Sequence, residues 1–441
     1  MSNQKTVGMI SLGCPKNQVD AELMLDKLAR AGFAISGDIE GCDAVIVNTC
    51  GFIEAAKVEA IENILDMAEY KKSGDIRKLI VTGCLSERYQ YDIRREMPEV
   101  DAVVGIGENA NIVQIVDEVL GGDLVEAFAD KELLPLTGGR ILTTPDYWAY
   151  LKIGDGCSNN CAFCAIPEIR GKFRSRSIED IVDEAKTLAA QGVKEVVLIS
   201  QDTSLYGRDL YKENKLPELL TAVSEVEGRI RFLYCYPERI GDELLDVMAT
   251  NPKVCHYLDI PLQHADKSVL RGMHRPGDRE TFEALIRKIR EKVPDMIIRT
   301  TVMTGFPGET DEQFEELAEF VKTCRFDNLG CFAFSPEEGT VAAEMDGQVD
   351  EEVKVHRQDL IMQLQHDIVL ENNKKFLGKT LKVLVDAYNT YDDTYVGRFY
   401  GQVPDIDGTV LFSSLRELTP GEFVDVTILG FEEYDLTGKA L

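Results

Sequence analysis

Three cysteines lie within eight residues, in the stretch GDGCSNNCAFCAIP at 154–167. Their spacing, Cys157-x3-Cys161-x2-Cys164, lacks the second CxxC or Cys/His pair that common zinc sites need. A disulfide would leave one thiol over and would not persist in a reducing cytosol. Three thiolates from one loop suit a cubane iron–sulfur cluster whose fourth iron has no protein ligand. The spacing therefore favours an iron–sulfur site, with three incidental cysteines as the alternative. Phe163, between the last two cysteines, is predicted to give this cluster an apolar cover.

A second set of cysteines is spread over the first hundred residues. Cys14, Cys50 and Cys84 each follow an apolar run that predicts a buried strand and precede a stretch of helical length. In an open parallel sheet the carboxyl ends of successive strands form one crevice, where helix N-termini stabilise thiolates. Taken singly, each could be a buried core cysteine. Their shared position predicts a second three-cysteine cluster.

The composition and the remaining cysteines indicate which class of protein the chain belongs to. The chain has 441 residues, 44% of them hydrophobic and 28% charged, with eleven cysteines and no basic, apolar leader that would predict a signal peptide. No stretch is apolar enough for a membrane span, so we expect a cytoplasmic protein with reduced thiols and no membrane partner. The five other cysteines are predicted to be small buried hydrophobes: Cys42, Cys235, Cys255, Cys324 and Cys331.

Strand and helix patterns divide the chain into three domains of an α/β protein. Residues 1–125 alternate short apolar runs with helical stretches, which predicts a parallel α/β sheet, and 126–145 form a linker. Residues 146–375 contain six strand–helix units and predict a partial, open (β/α)6 barrel with its chemistry at the carboxyl ends of the strands. Near its end, Leu360, Leu364 and Ile368 recur at a spacing of four and predict one apolar helix face. Residues 376–441 predict a small five-stranded barrel of oligonucleotide-binding type.

Charge bears on the partner of this last domain. The whole chain carries a formal net charge of −29, which repels polyanions and favours a basic partner. From 376 to 441 there are five Lys and Arg against eleven Asp and Glu, a net of six negative charges. Binding of RNA phosphates by this domain would be opposed by charge, so we do not expect RNA to be the main contact. The acidic residues could equally form an ordinary solvated face.

The loop at 157–164 resembles the CxxxCxxC motif of the radical S-adenosylmethionine superfamily and matches it without deviation. The resemblance implies that S-adenosylmethionine binds the open iron and is cleaved to methionine and a 5′-deoxyadenosyl radical. Such a cofactor supplies the chemistry while the protein orients and shields it. Strand ends should line the cofactor pocket, and we assign Gln201 and Gly305 to cofactor binding, with no catalytic side chain beyond the cluster ligands. A purely structural glycine turn is the alternative for Gly305.

Together, the three domains and six placed cysteines resemble the methylthiotransferase family over essentially the whole chain. The resemblance implies two [4Fe–4S] clusters, one generating the radical and the other carrying sulfur, and a C-terminal TRAM-like domain. The stretches SLGCPKNQVDAE, AIPEIRGKFRSRS and LISQDTSLYGRDLY are similar to the branch that modifies the β-carbon of an aspartate in the twelfth protein of the small ribosomal subunit. The alternative branch modifies adenosine in tRNA.

The expected partners follow from this resemblance and from charge. We expect a basic ribosomal protein as substrate, an electron donor such as a flavodoxin or ferredoxin, and a monomeric enzyme. Two other classes remain as alternatives: a two-cluster electron carrier without its own chemistry, and a zinc-held RNA-binding module. Arg170, Lys172, Arg174 and Arg176 form a basic run after the cluster loop. It could meet a carboxylate of the cofactor or target, or could simply be a solvated loop.

Overall fold

The computed structural model of the chain describes residues 4–226 and 228–441. Three sheet systems follow one another: a six-stranded parallel sheet, six parallel strands in two three-stranded sheets, and a closed five-stranded barrel. This confirms the predicted α/β class with its open barrel and small C-terminal β-barrel. Among the described residues, no helix is long and apolar enough to cross a membrane.

The N-terminal domain is a parallel sheet covered by helices on both faces. Its strands, in the spatial order β2-β1-β3-β4-β5-β6, are β1 (Thr6–Ser11), β2 (Ala34–Ser36), β3 (Ala44–Thr49), β4 (Leu79–Gly83), β5 (Ala102–Val104) and β6 (Val125–Ala127). Its helices are α1 (Pro15–Arg30), α2 (Glu54–Ser73), α3 (Cys84–Tyr89), α4 (Tyr91–Glu96) and α5 (Ile112–Gly121). Every residue of β3 and β4 is buried, as expected for central strands with helices on both sides. The sheet extends to Ala127, inside the segment predicted as a linker.

The central domain contains the six predicted parallel strands and a short antiparallel pair formed by its second and third strands. The strands are β7 (Trp148–Lys152), β8 (Gly154–Asp155), β9 (Arg174–Ser175), β10 (Glu195–Ile199), β11 (Arg229–Phe232), β12 (Tyr257–Gln263), β13 (Ile297–Thr304) and β14 (Asn328–Ala333). The helices are α6 (Ile166–Arg170), α7 (Ile178–Ala190), α8 (Leu216–Val223), α9 (Asp242–Thr250), α10 (Lys267–Gly272), α11 (Arg279–Lys292), α12 (Asp311–Cys324) and α13 (Glu351–Asn373). The sheets β11-β10-β7 and β12-β13-β14 are joined by an isolated parallel bridge between Ile230 and Val254. The six strands therefore form an open, partial barrel.

Alternation along the barrel strands separates two cores. On β7, Ala149 and Leu151 pack with the surrounding helices, whereas Trp148 and Tyr150 face the inside of the open barrel. The last helix, α13, exists as predicted, but its buried face differs from the predicted one. Leu360 is 40% exposed, because α13 packs through polar and charged side chains as well as apolar ones. Its buried residues are Lys354, Arg357, Ile361, Gln365, Ile368, Val369 and Asn373.

The C-terminal domain closes the amino end of the open barrel. Its strands are β15 (Thr380–Asn389), β16 (Thr394–Arg398), β17 (Val410–Ser413), β18 (Phe423–Glu432) and β19 (Asp435–Ala440), arranged β15-β16-β17-β19-β18. Glu195, the first residue of β10, is fully buried and pairs with Arg231 and Arg398, each at 3.0 Å. The hydroxyl of Tyr257 donates to Asp407 at 2.7 Å. Buried polar bonds and one shared apolar core thus fix this domain to the barrel.

Short 3-10 turns complete the described secondary structure. They lie at Ile106–Asn111, Lys131–Leu133, Thr203–Leu205, Pro237–Arg239, Val341–Glu344 and Lys374–Phe376.

Candidate active site

The three N-terminal cysteines meet at one edge of the N-terminal sheet. Cys14 follows β1 and caps α1, Cys50 directly follows β3, and Cys84 follows β4 as the first residue of α3. Because β1, β3 and β4 are neighbours in the sheet, their carboxyl ends lie side by side. All three thiols are free. The structure therefore brings together the three cysteines that the sequence predicted as one site.

A glycine beside each of these cysteines lets the loops approach closely. A Cβ on Gly13 would lie 2.8 Å from the Sγ of Cys50. One on Gly51 would lie 2.7 Å from the Cα of Leu85, and one on Gly83 would collide with the backbone of β3. Gly13 and Gly83 also have positive φ angles of 86° and 98°. Any other residue at these positions would push the cysteine loops apart.

Asn17, on the first turn of α1, holds two of the loops. Its Nδ2 donates to the carbonyl oxygens of Leu12 at 2.8 Å, Asn48 at 3.3 Å and Thr49 at 3.2 Å. The Nδ2 of Asn48 donates back to the carbonyl of Asn17 at 2.8 Å. Leu12 precedes Cys14 by two residues and Thr49 precedes Cys50 by one, so one amide side chain fixes the approach of both cysteine loops.

Burial and nearby cations act on the thiols in opposite directions. Burial would raise the pKa of Cys14, but the charges of Lys16 and Arg170 together hold it below its usual value. At Cys84 burial dominates and raises the pKa to about 12, despite the neighbouring Arg170. Cys84 is therefore a neutral thiol at pH 7 unless a bound cation stabilises its thiolate, which is what a coordinated metal does.

The second cysteine set lies in the loop between β8 and α6, at the carboxyl end of the barrel strands. Cys157 and Cys161 are buried and Cys164 is partly buried. The N–H of Cys157 donates to the carbonyl of Gly171 at 3.0 Å, and the N–H of Cys164 to that of Cys161 at 3.1 Å. Burial raises the pKa of Cys157 to about 11 and that of Cys164 to about 12. This loop has the same character as the first site: compact, largely dry and in need of a cation to hold thiolates.

Polar side chains from two other strands brace this loop. The Nδ2 of Asn159 donates to a carboxylate oxygen of Asp202 at 2.7 Å and lies 3.5 Å from the Sγ of Cys157. Arg239 donates to Asn159 at 2.9 Å and to Asp202 at 2.8 Å. Asp202 and Arg239 follow β10 and β11, so the barrel strands position the loop directly.

Cys161 has two further neighbours. The hydroxyl of Tyr236 lies 3.8 Å and a guanidinium nitrogen of Arg275 lies 3.9 Å from its Sγ. The guanidinium of Arg275 also lies 4.0 Å from the centre of the Tyr236 ring, within the range of a cation–π contact. These two side chains shield one side of the loop and place a positive charge beside a buried sulfur.

Two of the other predicted site residues lie near the loop. Phe163 is partly buried against the barrel core. Gln201 follows β10, and its Nε2 lies 3.4 Å from a carboxylate oxygen of Asp155. The Oε1 of Gln201 is buried and has no partner among the described residues, so it is free to accept a hydrogen bond from a ligand. Both assignments to the cofactor stay predictions.

Gly305, the third predicted contact, lies at the end of β13 with a φ of 72°. Its N–H donates to both carboxylate oxygens of Glu309, each at 3.0 Å. The Lys354 side chain occupies the space where a Cβ would project. The role of Gly305 in cofactor binding stays a prediction. Its contact with Lys354 shows that the turn is tightly packed against α13.

Each of the two cysteine sets offers three free thiols. Among residues 4–226 and 228–441, no group of three or more His, Cys, Asp and Glu side chains converges closely enough to hold one metal ion. In a cubane cluster, each thiolate ligand binds a different iron. Two sets of three free thiols, each in a dry loop and lacking a fourth cysteine, therefore fit clusters with one open iron each.

The basic run after the second loop has a structural role that the sequence did not indicate. Arg170 and Arg176 are buried, and Arg174 donates to the carbonyl of Glu132. Arg176 pairs with Glu184 at 2.6 Å. The interpretation of this run as a carboxylate-binding patch or a solvated loop is wrong for Arg170 and Arg176, because both are buried and engaged by acidic partners inside the protein.

Sequence reasoning also missed Asn17, Asp20 and Lys152. Lys152 is a charged residue that ends the apolar strand β7, and Asp20 lies one turn after Asn17 on α1. A lysine in a buried strand requires a buried carboxylate, and this signal could have directed attention to a nearby acid. Which acid it meets depends on how two domains pack, and no local pattern shows that.

Family models match each of the three domains. Residues 6–105 match the Uncharacterized protein family UPF0004, residues 151–321 the Radical SAM superfamily, and residues 377–441 the TRAM domain.

Curated relatives match the whole chain. It is 47% identical over 434 residues to the ribosomal protein uS12 methylthiotransferase RimO of Lachnoclostridium phytofermentans, covering 98% of this chain and 99% of that one. It is 46% identical over 442 residues to RimO of Clostridioides difficile, covering 99% and 98%.

The chain belongs to the RimO family of ribosomal protein uS12 methylthiotransferases. As a member of the RimO family it is a radical S-adenosylmethionine enzyme that uses S-adenosylmethionine and [4Fe–4S] clusters.

Solved structures share the fold of this RimO family member at low sequence identity. The radical S-adenosylmethionine methyltransferase TsrM of Kitasatospora setae, with tryptophan and a cofactor analogue bound, aligns with a TM-score of 0.57 and 14% identity. The alignment covers 75% of this chain and 73% of TsrM. OxsB, a cobalamin-dependent S-adenosylmethionine radical enzyme, aligns with a TM-score of 0.52 and 12% identity over 83% of this chain and 56% of OxsB. These alignments support the fold alone.

Proposed function

We propose that this enzyme attaches a methylthio group to the β-carbon of an aspartate in ribosomal protein uS12. In this proposal Cys157, Cys161 and Cys164 hold the cluster that binds and cleaves S-adenosylmethionine. A second [4Fe–4S] cluster, held by the N-terminal cysteines, takes part in sulfur transfer. Its ligands are Cys14, Cys50 and Cys84.

The observation that carries this proposal is the contact between the two cysteine sites. Cys84 forms an apolar cluster with Ala165 and Ile169, which follow Cys164 in the chain. Arg170, the last residue of α6, also lies 3.4 Å from the sulfur of Cys84. The second site therefore lies beside the segment that leaves the radical loop. Transfer of a group between two centres requires them to be held close together, and this contact provides that proximity.

The chain supplies positioning and dryness to this chemistry. When bound, S-adenosylmethionine and the two clusters supply an organic radical, a methyl group and sulfur. Cys157 and Cys161 are buried, so the loop that carries them excludes water from the site of radical formation. Asn159 fixes the loop through Asp202, and the unpartnered Oε1 of Gln201 accepts a hydrogen bond from the cofactor in this proposal.

A protein substrate fits the surface of the C-terminal domain. Tyr391 is 96% exposed and Leu415 is 93% exposed, and the turn that carries Tyr391 also contains Asp392 and Asp393. Exposed apolar and aromatic side chains beside carboxylates suit a basic protein partner, and an acidic surface opposes RNA phosphates. The curated relatives are named for the ribosomal protein uS12, which supports the same class of substrate.

Further expectations accompany this function. A flavodoxin or ferredoxin supplies the electrons, the enzyme acts as a monomer, and the reaction takes place in the cytoplasm, where ribosomes are found. Size-exclusion chromatography with light scattering checks the oligomeric state, and S-adenosylmethionine cleavage with each candidate donor checks the electron source.

The function is tested by anaerobic reconstitution with iron and sulfide. S-adenosylmethionine, a reductant and small ribosomal subunits are then added, and the ribosomal proteins and tRNA are analysed by mass spectrometry. A methylthio mass on an aspartate peptide of uS12 is the expected result. A methylthio group on tRNA adenosine would overturn the assigned substrate, and absence of S-adenosylmethionine cleavage would overturn the radical chemistry. The Cys157→Ala variant is the control, because any S-adenosylmethionine cleavage that it shows does not depend on the cysteine loop.

A further inference from the structure

Arg170 occupies an unusual position for an arginine. It ends α6, six residues after Cys164, and its side chain is only 1% exposed. One guanidinium nitrogen donates to carboxylate oxygens of Asp20 at 2.8 Å and Asp155 at 2.9 Å. Lys152 pairs with the same two carboxylates and lies 3.0 Å from that of Asp155. Two cations and two carboxylates thus balance one another, and they hold the planar guanidinium in one orientation.

The other guanidinium nitrogen points at the N-terminal cysteine site. It lies 3.4 Å from the Sγ of Cys84 and 3.2 Å from the Oδ1 of Asn17. Among the described residues, Arg170 provides the one side-chain hydrogen bond to a sulfur of this site. The Nδ2 of Asn17 in turn fixes the backbone before Cys14 and before Cys50. All three cysteine loops are therefore connected to one guanidinium that comes from a different domain.

We propose that Arg170 is a positioning residue for the N-terminal cluster: it fixes the three cysteine loops and raises the reduction potential of the cluster. The inference rests on the proposed role of Cys84 as a cluster ligand. A reduced cluster carries one more negative charge than its oxidised form. A cation and an N–H donor beside a ligand sulfur stabilise that reduced form. Hydrogen bonds to the sulfurs of iron–sulfur clusters are one of the factors that set their reduction potentials. Because Arg170 belongs to the barrel, the second cluster acquires its working potential only when the two domains are docked.

The test isolates the N-terminal cluster in the full chain. The parent protein carries Cys157→Ala, Cys161→Ala and Cys164→Ala, so only the N-terminal site can hold iron. Its midpoint potential is measured by redox titration with electron paramagnetic resonance, alone and with Arg170→Met added. We expect Arg170→Met to lower the reduced-to-oxidised ratio at fixed potential at least tenfold, a shift of about 59 mV to more negative potential for one electron. Iron and sulfide content are measured in the same samples.

The matched control is Arg176→Met. Arg176 is also a buried arginine of the same segment, 4% exposed and paired with Glu184, and among the described residues its side chain makes no hydrogen bond to a cysteine. Its variant should keep the parental potential. A merely structural role for Arg170 would reduce iron content without moving the potential of the clusters that remain, and that result would overturn the proposal. An equal shift in both variants would also overturn it.

A second variant decides the question if Arg170→Met fails to bind iron. Arg170→Lys keeps a cation for Asp20 and Asp155. Its single ammonium group cannot donate to these carboxylates and to the sulfur of Cys84 at the same time, as the planar guanidinium does. We expect it to fold and to give a more negative potential than the parent, and an unchanged potential overturns the proposal. If the parent itself binds no iron, the ligand assignment of the proposed function is wrong and this inference falls with it. A loaded parent with an unmoved potential refutes the role of Arg170 alone.

Discussion

Glu195 joins the barrel to the C-terminal domain through a buried ion pair with Arg398. It is fully buried at the amino end of the barrel, between Arg231 and Arg398, with Arg229 at 3.8 Å. Burial alone would raise its pKa, but the three arginines lower it from 4.5 to about 2. A shift of that size corresponds to about 3 kcal/mol of stability at neutral pH, at about 1.4 kcal/mol per unit.

The change Glu195→Gln removes this charge and leaves its arginine partners buried without it. We expect the free energy of unfolding at pH 7 to fall by about 3 kcal/mol, which agrees with the roughly 3–5 kcal/mol lost when one partner of a buried pair is removed. The sign of the pH dependence follows from the depressed pKa. The stabilisation is fully present above pH 4.5 and is lost as the pH falls towards 2. The difference between parent and variant should therefore close over that interval.

The chain contains its own probe for this experiment. Trp148 is the sole tryptophan, is 4% exposed and lies in the core shared by the barrel and the C-terminal domain. Its fluorescence during urea titration reports the opening of this interface. The control is Glu225→Gln, which changes an exposed glutamate of the barrel domain. It should change the free energy of unfolding by less than about 0.5 kcal/mol. Equal midpoints for the two variants, or a difference that persists at pH 2, would refute the reasoning.

Three further predictions concern the cysteine sites and the substrate. Cys164→Ala should abolish S-adenosylmethionine cleavage, whereas Cys84→Ala should keep cleavage and lose the methylthio product; equal loss of cleavage would contradict the division of roles. Gly83→Ala should prevent iron loading of the N-terminal site, because the added Cβ would collide with the neighbouring strand. The control is Gly74→Ala: Gly74 also has a positive φ, but an added Cβ there would meet no described atom within 4 Å, so the same iron assay should show full loading. Tyr391→Ala should raise the KM for uS12 about tenfold, equivalent to about 1.4 kcal/mol of contact, without moving the urea midpoint; an unchanged KM would remove this side chain from the substrate surface.

Local patterns in the sequence predicted most of what depends on local structure. The apolar runs that predicted β1, β3 and β4 also predicted that Cys14, Cys50 and Cys84 share one edge, because parallel strands align their carboxyl ends. The predictions failed where a partner from another domain decides the outcome. Leu360 was predicted on the apolar face of its helix, yet it is 40% exposed, because that helix packs with a mixed face. Arg170 belongs to a run of basic residues that suggested a surface patch, and its carboxylate partner Asp20 is 150 residues away.

Short strands also escaped prediction. β2 and β6 have three residues each, too few to show a hydrophobic period. β19 contains Asp435, Gly438 and Lys439 and lacks a continuous apolar run, but it completes the closed barrel through pairing with β17 and β18. Such segments become strands because a neighbouring strand offers its hydrogen bonds, and their own residue types add little.

The way in which the last domain closes the barrel affects the order in which the protein can be made. Trp148 and Tyr150 emerge from the ribosome early, but much of what covers them lies between Val383 and Leu436. At about 5–20 residues per second, the ribosome needs roughly 15–60 s to synthesise the intervening chain. During that time the inner face of the first barrel strand stays incompletely covered. The core that closes the barrel is therefore complete only after Leu436 has been made, so the enzyme cannot adopt its working fold before the last of these strands is synthesised.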